Sequence, residues 1–169
     1  TFDKLEYNFS SFNEGEKIQE LMIKFQYQGV ESIDDLQADK IYIEISTSED
    51  AFRAIKEMWV RGAPLIGVTA AFGMYLAVAE NPGSINYIKE RAQYLSNARP
   101  TAVNIEYGVT HVLRVIQSEN TNSQNIEQAL AAALQLRKEE ILRSEKIGDH
   151  GLEILKKLYF NNPSGRLNI

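Results

Sequence analysis

Apolar residues along the chain follow two periods, a short alternating one near the start and a long helical one after it. Leu5, Tyr7 and Phe9 occupy alternate positions in a polar stretch, the pattern of a short strand. Ile18, Leu21, Met22 and Phe25 follow the i, i+3, i+4, i+7 spacing of an amphipathic helix, and Gly29 closes it. Ile41, Ile43 and Ile45 then alternate with Tyr42 and Glu44, which predicts a strand with one apolar face. From Ser46 onward the spacing is helical almost throughout. Ser46-Thr47-Ser48-Glu49-Asp50 supplies capping hydroxyls and first-turn acids, and Phe52, Ile55, Met58 and Trp59 define one buried face behind them.

The run from Pro64 to Ala79 is apolar on nearly every side, with hydroxyls only at Thr69 and Tyr75. Pro64 suits a helix start because its missing N–H has no partner there. The run is shorter than the roughly 20 apolar residues a bilayer span needs, and Gly67 and Gly73 interrupt it, so it predicts a buried central helix approached closely at those glycines. Asn81-Pro82-Gly83 stops it. Ile85, Ile88, Ala92 and Leu95 mark the next helix, Arg99-Pro100 interrupts the chain, and Val103, Tyr107, Val112, Val115 and Ile116 mark another. A polar stretch over 118–124 precedes a long amphipathic helix carrying Ile126, Ala129, Leu130, Ala133, Leu134, Ile141 and Leu142. After Ile147-Gly148-Asp149-His150-Gly151 come Leu152, Ile154, Leu155 and Leu158. The turn at 161–165 then delivers Arg166-Leu167-Asn168-Ile169, read as the first half of a strand. The expected class is α+β, mostly a helical bundle with a short N-terminal β element. The expected division is 1–45 for an N-terminal β/α element, 46–160 for the bundle and 161–169 for a linker with first strand residues.

Composition narrows the function classes. The 169 residues carry 18 Lys+Arg against 23 Asp+Glu, a formal charge of −5, and 44% are hydrophobic. That balance belongs to a folded domain and argues against a general nucleic-acid binder, which would be basic. The absence of Cys removes disulfides, thiolate metal sites and cysteine nucleophiles from this chain. Two histidines, His111 and His150, are too few for a His-rich metal site, so no metal and no cofactor are expected. Thr1 opens a polar stretch without a signal-peptide pattern, from which a cytoplasmic location is expected.

Two segments carry candidate chemistry. Trp59-Val60-Arg61-Gly62-Ala63-Pro64 places a guanidinium and a glycine turn at the start of the buried helix, where free amides and the helix dipole favour an anion. The ordinary alternative is an Arg61 that pairs with a carboxylate or meets solvent, with Gly62 making a tight turn. Arg99-Pro100-Thr101-Ala102-Val103-Asn104 repeats the arrangement, Thr101 and Asn104 being able to donate to a ligand hydroxyl. Its ordinary alternative is a turn with Thr101 as N-cap. His111 reads as a packed histidine, His150 as part of a close helix contact between Gly148 and Gly151, and Glu139 and Glu140 as a solvated helix face. No nucleophile stands beside a base.

Taken in order, these motifs resemble a known family. Val60-Arg61-Gly62-Ala63-Pro64-Leu65-Ile66-Gly67, with Ala70-Ala71-Phe72-Gly73, resembles the first signature of the methylthioribose-1-phosphate isomerase family. The 99–104 segment resembles the second and the 147–151 segment the third, so the resemblance extends over 46–169. Ribose-1,5-bisphosphate isomerases and the regulatory subunits of translation initiation factor 2B are related to it. Pro64 and Asn104 sit closer to the methylthioribose pattern, while Leu65 stands where Ala is usual. The resemblance implies isomerisation of a five-carbon aldose 1-phosphate to its ketose in methionine salvage, with substrate held by Arg61, Gly62, Ala63 and Arg99. It implies a catalytic Cys and Asp in a C-terminal Rossmann-like domain beyond Ile169, so that this chain alone is inactive. It also implies a homodimer formed largely through that domain, and neither nucleic acid nor membrane as partner. The alternative is a non-catalytic regulatory or scaffold protein of the translation-factor branch, or a ribose-1,5-bisphosphate isomerase.

Overall fold

The computed structural model describes residues 25–27 and 41–160. The strand expected over Leu5–Phe9, most of the helix expected from Ile18, and the strand expected at Arg166–Ile169 lie outside the described residues. Two short strands, β1 (Phe25–Tyr27) and β2 (Ile41–Ile43), pair antiparallel with Phe25 opposite Ile43 and Tyr27 opposite Ile41. Phe25 is thus a strand residue, although its spacing from Ile18 predicts a helix; a ladder partner distant in sequence decides the matter, and periodicity does not see it. Everything else regular among the described residues is helical: α1 (Ser48–Lys56), α2 (Ala63–Glu80), α3 (Ile85–Ser96), α4 (Val103–Leu113) and α5 (Asn122–Phe160).

Local chemistry sets the ends of α1. The Thr47 hydroxyl accepts from the Asp50 N–H at 3.0 Å while the Asp50 carboxylate accepts from the Thr47 N–H at 3.0 Å, a reciprocal capping box. The helix stops at Lys56, which removes Met58 from the buried face the spacing predicts and leaves it half exposed; Trp59 is partly buried. Phe52 stays in the core and stacks on Tyr94 of α3 at 4.0 Å between centroids.

α2 is the centre of the bundle. It is buried without interruption from Ile66 to Val78 and touches α1, α3, α4 and α5. At 18 residues it is long and apolar enough, by length and composition, to cross a membrane, which corrects the expectation that it is too short. Its burial among four helices accounts for its apolar surface within this fold. The Thr69 hydroxyl donates to the Leu65 carbonyl at 2.9 Å, so the helix answers its own buried polar group, and burial pushes the Tyr75 phenol pKa up. At its far end the Glu80 carboxylate accepts from the Ser48 N–H at 2.7 Å and from the Ser48 hydroxyl at 2.8 Å. The Tyr87 hydroxyl donates to the same carboxylate, and that bond, with burial behind it, raises the Tyr87 pKa. Arg91 Nε completes the cluster by donating to the Ser48 hydroxyl at 2.8 Å, which ties α1, α2 and α3 together.

Backbone proximity holds α2 against its neighbours. A Cβ on Gly73 would lie 2.8 Å from the Ala51 Cβ, and one on Gly67 would lie 2.8 Å from the Asn104 carbonyl oxygen, the two close approaches expected from sequence. A third stands at Gly108 of α4, where a Cβ would lie 2.1 Å from the Gly67 carbonyl oxygen. The buried line of α4 is accordingly Ile105, Gly108, Val109 and Val112, and Val103 and Tyr107 face outward. Val112 is buried as expected and Val115 and Ile116 pack against the core beyond the helix, but Val103 and Tyr107 do not share that face. Apolar residues occupy both sides of α4, so periodicity alone does not choose between them.

α5 runs for 39 residues, beginning inside the polar stretch expected to be a connection. Asn125 is buried at its start; its side-chain amide donates to the Gln117 carbonyl at 3.1 Å and its side-chain oxygen accepts from the Gln117 N–H at 3.2 Å. Burial ends at Leu136, and every residue of 141–150 is exposed, including Ile141, Leu142 and Ile147. The helix passes straight through Gly148 and Gly151, where an added Cβ would meet no neighbouring element within 4 Å, and His150 is exposed. Among the described residues the close contact expected there is therefore not made.

Gly108→Ala is expected to force α2 and α4 apart and to cost about 1–3 kcal/mol in urea unfolding, the range of a core overpacking. Gly148→Ala, in open space on the same kind of backbone, is expected to gain about 0.5–1 kcal/mol. Equal behaviour of the two variants would remove the close approach from the architecture.

Candidate functional site

The start of α2 is set by the way α1 ends. Glu57 caps α1, and Met58 follows in the left-handed region with φ 60°, its N–H donating to the Ile55 carbonyl at 3.3 Å. The Val60 N–H then donates to the Ala54 carbonyl at 3.2 Å, and Val60 is sunk in the core, which fixes the turn and leaves Arg61 exposed beyond it. Gly62 is the N-cap of α2 at φ 90° and ψ 129°, a conformation that other residues enter only with strain. It offers no side chain to the first-turn amides, Pro64 removes one of them, and no acid stands in that turn.

α4 starts in a similar way. The Ala102 N–H donates to the Arg99 carbonyl at 2.9 Å, and Ala102, not Thr101, is the N-cap, again without a side-chain hydrogen bond. The capping reading of Thr101 is thereby corrected: the helix begins one residue later than a Thr101 cap requires, and Thr101 is exposed.

Both helix starts open on one cavity of about 470 Å³. Arg61, Gly62, Ala63 and Arg99, the four residues singled out from sequence, all line it, together with Thr101 and Asn104. The contact of Gly67 with Asn104 and Gly108 lies one turn inside, so the close approach of the helices sets the distance between their ends. Arg61 Nε donates to the Met58 carbonyl at 3.4 Å, and among the described residues neither Arg61 nor Arg99 is paired with a carboxylate. Two cations and two sets of uncapped helix amides around one space make it suited to an anion. Met58, Ile66 and Val103 add an apolar lining that the sequence did not mark. Met58 is missed because no glycine signals that α1 has ended, and Val103 because its phase on α4 is ambiguous.

The lining holds no carboxylate, histidine or thiol, so the cavity can bind and orient a ligand but does not itself supply a proton acceptor or nucleophile. His111 is partly buried, its ring 6.0 Å from that of Tyr107 and outside the cavity lining. Glu140 is bonded to Arg143 on the same helix, and Glu139 also lies within ion-pair distance of it.

Residues 59–159 match the model of the initiation factor 2 subunit family. The chain belongs to that family. The matched span contains every residue of the cavity lining except Met58. A methylthioribose-1-phosphate isomerase from Methylocella silvestris is 44% identical over 123 residues, covering 73% of this chain and 33% of that protein. The crystal structure of the delta subunit of translation initiation factor eIF-2B from A. fulgidus superposes with a TM-score of 0.63 at 30% identity, over 79% of this chain and 39% of that one. The 5-methylthioribose 1-phosphate isomerase of Pyrococcus horikoshii shares the fold, with a TM-score of 0.57 at 24% identity over 69% of this chain and 34% of that one. The chain spans about a third of the length of the curated relatives it matches. Isomerase and translation-factor members thus share this helical unit.

Gly62→Ala is expected to cost about 1–3 kcal/mol in thermal or urea unfolding although nothing lies within 4 Å of the added methyl, because the cost is backbone strain. Unchanged stability would mean that the turn before α2 is not held at its positive φ.

Proposed function

We propose that the cavity is the phosphate-binding half of an aldose 1-phosphate isomerase site, with 5-methylthioribose 1-phosphate as substrate. The observation that carries this reading is the meeting of Arg61 and Arg99 at two uncapped helix starts. The isomerase names of relatives such as the 44%-identical Methylocella protein supply the substrate class. In this reading the guanidinium groups and turn amides at Gly62 and Ala63 hold the phosphate, and Thr101 and Asn104 meet ring hydroxyls. The reaction moves a hydrogen from C2 to C1 and leaves the overall oxidation state unchanged. A phosphorylated anomeric carbon cannot open to a free aldehyde on its own, so an acid and a base must assist ring opening and transfer.

Since the lining lacks both, that pair comes from elsewhere: a Cys and an Asp on a C-terminal Rossmann-like domain of a protein as long as its relatives. The apolar residues that α5 leaves exposed support a further part of the protein covering that side. The whole is a cytoplasmic homodimer joined through that domain, divided into an N-terminal β/α element over 1–45, the helical bundle over 46–160 and the link over 161–169. The chain's charge of −5 leaves the arginines as a local positive site and favours neither nucleic acid nor membrane as partner. The TM-score of 0.63 to the translation-factor subunit favours a second reading, in which the same unit serves a non-catalytic regulatory protein.

In the protein extended to the length of its relatives, Arg61→Lys is expected to weaken sugar-phosphate binding while keeping the charge, since an ammonium lacks the paired donor geometry. Loss of one charge-assisted hydrogen bond costs about 1.5–3 kcal/mol, or roughly tenfold to a hundredfold in affinity. Arg99→Lys is expected to behave alike, and the double variant to be non-additive if both arginines touch one ligand. Calorimetric titration with 5-methylthioribose 1-phosphate checks this. Unchanged affinity in either single variant excludes that arginine, and absence of turnover by the extended protein favours the regulatory reading.

A further inference from the structure

We propose that Met58 sets the specificity of this cavity by packing its thioether side chain against an apolar substituent at the sugar's C5. The inference rests on the isomerase reading above and concerns a residue outside the span that matches the family model.

Among the described residues Met58 is the one non-glycine residue with a positive φ, at 60°. A position just past a helix in that conformation is ordinarily filled by glycine, or by asparagine, which enter it with little strain. Methionine there carries strain and also leaves a large apolar side chain 49% exposed, both unfavourable to folding. The hydrogen bonds that Met58 makes involve its backbone alone: its N–H donates to Ile55 and its carbonyl accepts from Arg61 Nε. Glycine would supply both. What methionine adds is a side chain at the cavity, and that is where its use lies.

The rest of the lining has matching chemistry. Ile66 and Val103 share the cavity with Met58, and Val103, in the first turn of α4, is 77% exposed, so apolar surface stands open to a ligand beside the arginines. Among the described residues Arg61 and Arg99 are the only cations in that lining, enough for one phosphate. A second phosphate on C5 would meet no further cation there, whereas a methylthio group would meet a soft, adaptable thioether that fits its shape and polarizability. On this half of the site the lining therefore favours a monophosphate with an apolar C5 group over a bisphosphate or a free 5-hydroxyl.

The test compares 5-methylthioribose 1-phosphate with ribose 1-phosphate in the extended protein. Met58→Gly relieves the backbone and is expected to keep or raise the melting temperature. Its kcat/KM for the methylthio sugar is expected to fall about tenfold more than that for ribose 1-phosphate, the discrimination one apolar contact provides. Met58→Leu, which restores apolar bulk, is expected to recover most of the selectivity. A Met58→Gly enzyme with the wild-type ratio, or one that loses both activities equally, overturns the proposal. Wild-type protein that turns over neither sugar overturns the isomerase reading itself, and this inference with it. That result is distinct from an active enzyme whose selectivity ignores Met58.

Discussion

The backbone contact between α2 and α4 is the constraint on which the rest depends. Gly67 and Gly108 let two helices meet at a distance no side chain would permit, with the Asn104 carbonyl closing against Gly67. Three consequences follow from that single approach. It buries α2 on the α4 side, it selects which face of α4 turns inward, and it brings two helix N-termini to the rim of one space. A site built this way is rigid because helices of the core hold its ends, while the residues that meet a ligand project from turns.

The site is chemically one-sided. Among the described residues, two guanidinium groups without a carboxylate partner and two helix starts without a side-chain cap line a cavity that holds no carboxylate, histidine or thiol. Binding and chemistry are therefore separable in this architecture. The helical unit presents groups suited to an anion, and in the proposed reading what happens to the ligand depends on what is set against the open side. That separation gives a physical account of how one family holds both isomerases and translation-factor subunits. The far half of α5 fits the same picture, since burial stops at Leu136 and most of the apolar residues from Ile141 onward are exposed.

Much of the fold is legible in the residues, for identifiable reasons. The capping residues before α1, the apolar run of α2 and the stop at Asn81 are local signals, and local hydrogen bonding makes them reliable. The arginines before α2 and α4 are also readable, because a cation beside a helix start has the same meaning wherever the helix lies. The positions that mislead share one property. Met58, Val103, Tyr107, Ile141 and Leu142 are apolar and fit a helical period, yet all are exposed. Period constrains the spacing of an apolar face; burial requires a neighbour.

The sequence by itself determined how α1 is capped, that α2 lies at the centre, and that Arg61 and Arg99 each stand before a helix start. Each of these rests on interactions within a turn or two of chain, or on a run so apolar that only burial suits it. Tertiary structure alone decided that the two arginines share one cavity and that Gly108 lies against Gly67. It alone decided that Met58 sits in a left-handed turn on the cavity wall and that α5 continues unbroken past Gly148. Those outcomes depend on contacts between residues far apart in the chain, and no local pattern encodes the distance between two helices.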